Sequence, residues 1–155
     1  MEIPLKRVEE FLNQRIPLSK ALNCQVVEAT DKTLRICVPK FVNTVADETF
    51  SDTASIDLCQ LTTWTFLQIS LQRLNYKPLT TLCAAQWAKG REIDSNSKTI
   101  TASCSLPPDR EWQQFLRMLS RKARARVTVV ATLSDELSET ATFTCEYDTR
   151  DLDPA

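Results

Sequence analysis

Residues 50–75, FSDTASIDLCQLTTWTFLQISLQRLN, decide the fold. From Leu58 to Gln72 this stretch carries no charge. Ile56, Cys59, Thr63, Leu67, Ser70, Leu71 and Leu74 recur at steps of three and four, and Leu58, Leu61, Trp64 and Phe66 cover much of the remaining circumference. The pattern predicts one long helix, opened at Ser51 or Asp52 by side chains suited to an N-cap. A helix apolar on nearly every side must be wrapped by other elements rather than laid on a surface.

The flanking segments supply the wrapping. Before the helix, CQVVEAT (residues 24–30) and TLRICVP (33–39) alternate as a hairpin about Asp31 and Lys32, with Leu34, Ile36 and Val38 on one face. After it, residues 79–93 read as a long strand bent or bulged at Gly90, and residues 98–106 alternate with Ile100, Ala102, Cys104 and Leu106 on one side. Pro107 and Pro108 open a second, amphipathic helix carrying Trp112, Phe115, Leu116 and Leu119. Residues 123–133 and 139–147 close the chain as another hairpin, with 148–155 as a polar tail. Residues 1–22 form a helical segment in which Leu5, Val8, Leu12 and Ile16 share a face. The order predicts a single α+β domain, a curved, mostly antiparallel six-stranded sheet around the central helix.

Composition removes several chemistries. The 155 residues are 43% hydrophobic with net charge −1, enough for a core and without bulk attraction to nucleic acid or anionic membrane. There is no His and only one Gly, so neither a Ser-His-Asp or Cys-His system nor a glycine-rich phosphate loop can be assembled. The six Cys form no C-x-x-C pair, so no metal site or cofactor is expected; they read as small buried hydrophobes of a reducing compartment. The uncharged run is too short and polar to span a bilayer. With a charged N-terminus, this predicts a cytoplasmic protein without membrane insertion.

Residues 17–43, PLSKALNCQVVEATDKTLRICVPKFVN, and 106–133, LPPDREWQQFLRMLSRKARARVTVVATL, resemble the thioesterase domain of the hot-dog superfamily that some bacteria carry fused to an acetyltransferase domain. The likeness covers roughly residues 16–147. It implies the hot-dog fold, a homodimer joined edge to edge with a dimer of dimers left open, and acyl-CoA or acyl-carrier-protein thioesters as ligands. It places the site near the start of the central helix. Where relatives have Phe-Gly-Gly-Ser at that start, this chain keeps Phe50 but has Ser51 and Asp52 in the glycine positions. Where they carry Ala-Asp-Ser in the next strand, it reads Ala84-Ala85-Gln86.

Thioester hydrolysis needs donors for the carbonyl oxygen and a carboxylate to activate water or to attack. Asp57 resembles, in type and approximate place, the helix carboxylate that many hot-dog thioesterases use as base or nucleophile, with Asp52 as the alternative. The helix N-terminus and Asn43 are the expected oxyanion donors. Phe50, Ser51, Thr53 and Gln86 are the expected substrate contacts. Each has a plainer reading: Asp52 as a cap, Asp57 as a solvated carboxylate, Asn43 as a loop brace, Gln86 as a core amide, and the Trp residues as core or dimer interface rather than pocket wall. A non-catalytic protein binding acyl thioesters or partner proteins is the alternative function. The basic run Arg117, Arg121, Lys122, Arg124 and Arg126 is either a complemented helix C-terminus or a site for coenzyme A phosphates or an acidic carrier protein.

Overall fold

The computed structural model describes residues 2–40 and 50–154. Its centre is α3 (Asp52–Arg73), a helix about 33 Å long. Ser51 caps it in extended conformation, its Oγ accepting the N–H of Ala54 at 3.3 Å. Leu58, Cys59, Thr62, Thr63, Phe66, Leu67 and Leu71 are all buried, so the helix is enclosed around most of its girth. Its buried hydroxyls are handled locally: Thr62 Oγ1 donates to Leu58 O at 2.7 Å, the back-bond that lets threonine sit inside a helix.

Six strands form one antiparallel sheet: β1 (Gln25–Ala29), β2 (Thr33–Pro39), β3 (Pro78–Lys89), β4 (Thr99–Ser105), β5 (Arg124–Ser134) and β6 (Glu139–Asp151), ordered β1-β2-β4-β5-β6-β3. The register sets Leu34, Ile36 and Val38 opposite Cys104, Ala102 and Ile100, so period-two alternation delivers one apolar face to α3. With Val127, Val129, Phe143 and Tyr147 on the same side, the curved sheet and the helix make the expected hot-dog fold.

Two further helices complete the packing. α1 (Leu5–Arg15) buries Val8 and Leu12 and stacks Phe11 on Trp64 of α3, centroids 5.9 Å apart, while Leu5 stays exposed. A short turn, α2 (Leu18–Ala21), follows it. α4 (Asp109–Lys122) buries Trp112, Phe115 and Leu119, and Tyr76 Oη sits 2.6 Å from Ser120 Oγ beside the C-terminal end of α3. No helix among the described residues is long and apolar enough to cross a membrane.

Four expectations need correction. The final strand runs to Asp151, so 148–151 are sheet: Thr149 is buried, while Asp148 faces outward and binds Arg124. β3 ends at Lys89, and its register shift falls between Leu82 and Ala84 instead of at Gly90. Gly90 is small for a different reason: a Cβ there would lie 3.1 Å from Thr140 O, whose carbonyl accepts the N–H groups of Gly90 and Arg91. Of the cysteines only Cys59, Cys104 and Cys145 are buried; Cys24 and Cys37 are partly covered, and Cys83 is exposed because β3 is an edge strand.

Candidate functional site

α3 begins where β3 ends, because the chain turns back after α3 and β3 runs antiparallel along its length. That juxtaposition creates a cavity of about 400 Å³ at the helix N-terminus. Phe50, Trp87, Ile93 and Leu133 supply apolar wall; Asp52, Ser55, Lys40, Lys89 and Arg91 supply the polar lining.

At its inner end, the first helical hydrogen bond runs from Ser55 N to Ser51 O, and Ser55 Oγ donates to the same carbonyl at 3.1 Å. Asp52 and Thr53 precede that bond, so their N–H groups have no carbonyl partner within the helix. Positive backbone dipoles therefore meet a cavity of mixed apolar and charged lining, where they favour a developing negative charge.

The cations around it are held individually. Lys40, almost fully buried, donates from Nζ to Ser95 O at 2.8 Å. Lys89 Nζ lies 3.0 Å from Glu92 Oε1 and 3.2 Å from Asp52 Oδ1, and its pKa is raised by the bond to Glu92 and, in smaller part, by Asp52. Arg91 makes a bidentate pair with Asp135 at 2.6 and 2.9 Å and also donates to Ser138 and to Glu139 O. That guanidinium, reinforced by the N–H groups of Asp94, Leu137 and Ser138, holds the Asp135 carboxyl well below the usual range. Arg91 is thus a brace between the end of β3 and the β5–β6 turn, while Lys89 is the cation tied to the helix start through Asp52.

Asp57 is elsewhere. Five residues beyond Asp52, it is turned about 140° around the helix. It lines a second depression of about 350 Å³ with Arg15, Ile16, Leu18, Gln60, Leu61 and Trp64. Burial raises its pKa. Gln68, eleven residues on, lies within about 20° of the same line and donates to Thr80 Oγ1 of β3 at 2.9 Å. Asp57 itself lies beside the end of α1 and the start of α2, and Trp64, seven residues on along nearly the same line, stacks on Phe11 of α1.

The other expected residues divide. Phe50 and Asp52 line the cavity, Ser51 is the cap, and Thr53 is exposed in the first turn. Gln86 is exposed on β3 and lines neither cavity, so it is not a core amide. Asn43 lies outside the described residues. Trp64 stacks on Phe11 and Trp112 is core, but Trp87 is a cavity wall, contrary to expectation, because it stands on the last inward turn of the edge strand. Sequence reasoning missed Lys40, Lys89 and Arg91. The available signal was the pair of cations flanking the sole glycine at the end of a strand.

Residues 5–150 match the family described as "Putative thioesterase (yiiD_Cterm)". A search of curated proteins returns no match. Among solved structures, a Chlorobaculum tepidum protein of unknown function superposes with TM-score 0.84 at 17% identity, covering 94% of this chain and 93% of that one. A Shewanella oneidensis protein described as a "putative thioesterase" gives 0.79 at 19%, covering 94% and 96%. A Pseudomonas aeruginosa protein described as a "probable thioesterase" gives 0.80 at 15%, covering 97% and 98%. At these identities the likeness speaks for the fold.

Proposed function

The chain belongs to that thioesterase family, and from this premise we propose that it hydrolyses acyl thioesters borne on coenzyme A or a carrier protein. The observation that carries the reading is the cavity at the N-terminus of the buried helix α3, walled by Phe50 and Trp87. The thioester oxygen is placed against the N–H groups of Asp52 and Thr53, with Asn43 as an added donor. Asp57 activates water or attacks the carbonyl. Its desolvated carboxylate is a better base than a fully hydrated one.

Asp57 and the cavity lie on different aspects of α3, so the proposal includes the homodimer. β3 offers a twelve-residue unpaired edge with small or apolar exposed residues such as Leu79, Ala84 and Ala85. Edges of this kind are templates for strand addition. In the dimer we propose, a second copy pairs antiparallel along β3 and the Asp57 of one protomer serves the cavity of the other across the seam.

One observation favours the non-catalytic alternative. The Asp52–Lys89 ion pair joins the helix start to the strand end across the cavity, at a position where the resemblance implies glycine. Release of free thiol from acyl-CoAs of short, medium and long chain separates the two. Turnover supports the hydrolase, whereas saturable binding without turnover on any of them leaves the binding protein.

A further inference from the structure

α4 presents a charged face that neither the fold nor the cavity uses. Its apolar side, Trp112, Phe115 and Leu119, is buried against the sheet. Arg110, Arg117 and Arg121 fall within about 40° of one another on the opposite side, a stripe about 16 Å long. All three are exposed, and they enter no ion pair among the described residues. Nearby cations are already committed, Arg124 to Asp148 and Arg126 to Glu146. Met118, 38% exposed, stands beside the stripe. In a chain of net charge −1 this is a local concentration of unneutralised positive charge around an adaptable apolar side chain.

We infer that this face of α4 docks an acidic helix of a protein partner, and that the partner is the thiol-bearing carrier of the acyl group. Charge complementarity selects the partner: a stripe one helix wide, three guanidiniums deep, matches a row of carboxylates on another helix, and Met118 offers an anchor within the charged rim. The identification as carrier rests on the thioesterase reading; the docking itself does not. Position agrees with the role. Ser120 of α4 meets Tyr76 at the C-terminal end of α3, the end that the proposed antiparallel β3 pairing would set beside the α3 N-terminus of a second copy. A carrier seated on α4 would thus stand at the mouth of the neighbouring cavity.

The test compares the full chain with R110E/R117E/R121E and with Met118→Ala, none of which touches either cavity. Binding of an acidic acyl carrier protein in its holo form, followed by fluorescence anisotropy at two salt concentrations, should weaken at least about tenfold in the triple variant and fall steeply with salt in the parent chain. Met118→Ala should weaken binding at either salt. In parallel, kcat/KM for an acyl group on the carrier should drop about tenfold in the triple variant while the same acyl group on coenzyme A is hydrolysed at the parental rate. Equal carrier binding by parent and triple variant, or none by the parent, overturns the docking surface. A matching loss on acyl-CoA also overturns it, by assigning the arginines to nucleotide phosphates. Carrier binding that the triple variant loses, without turnover of either ester, upholds the docking surface and sinks the thioesterase reading alone.

Discussion

Tyr147 and Thr63 join the central helix to the sheet through a buried pair of hydroxyls, and their removal should be strongly non-additive. Tyr147, 1% exposed, places Oη 2.8 Å from Thr63 Oγ1 and 3.3 Å from Gln60 O. Thr63 Oγ1 in turn lies 3.0 Å from Gln60 O and 3.5 Å from Cys145 Sγ. Tyr147→Phe leaves Thr63 its bond to Gln60 O, so the loss is one ordinary hydrogen bond, about 1 kcal/mol. Thr63→Val leaves the phenol only the long contact to Gln60 O, nearly an orphan in the core, at a cost of about 2 kcal/mol. With both hydroxyls gone no orphan remains, and the double variant should cost about 2 kcal/mol, roughly 1 less than the sum of the singles. Urea denaturation of the four proteins measures the cycle. Additivity within about 0.4 kcal/mol would refute the network. Burial also pushes the Tyr147 phenol up. Its contribution is complete below the unfolded tyrosine pKa, about 10, and is lost as pH rises beyond it, so Tyr147→Phe should flatten that part of the alkaline limb.

Ser51→Ala removes the acceptor of the Ala54 N–H and should cost about 1 kcal/mol in the same assay, with Ser51→Gly milder. Ala123 ends α4 at φ 56°, in the left-handed region, so Ala123→Gly should stabilise by about 1 kcal/mol, read as a raised urea midpoint. Because the Asp135 carboxyl is held below its unfolded value, its contribution is complete above that value, about 4, and is lost as pH falls further. Asp135→Asn should therefore be destabilised at neutral pH and show a shallower acid limb, checked by urea midpoints across that range.

The parts of the fold that were legible in the sequence are those fixed by local periodicity. The charge-free run and Ser51 placed α3 to within a residue or so at its start, and the alternation of Leu34, Ile36 and Val38 gave β2 its exact limits and inward face. The end of β6 was missed because Asp148 and Arg150 look like tail residues, although in a strand they belong to the outward face and only Thr149 turns inward. Phe50 and Asp52, expected at the helix start, line the cavity there because they adjoin that start. Lys40, Trp87, Lys89 and Arg91 were not expected there, since only the return of β3 along α3 brings them there. The divergence of Asp52 from Asp57 was readable from helical spacing.

The proposed hydrolysis of an acyl thioester rests on the Asp57 carboxylate. The direct measurement is the rate of free thiol release from the best acyl-CoA, by the parent chain and by Asp57→Asn, across pH. Activity should decline as pH falls through a pKa above the ordinary carboxylate value, and Asp57→Asn should lose at least about a hundredfold in kcat with its urea midpoint kept. Undiminished turnover by a folded Asp57→Asn protein would contradict it and move the chemistry to Asp52, beside Lys89 at the cavity itself.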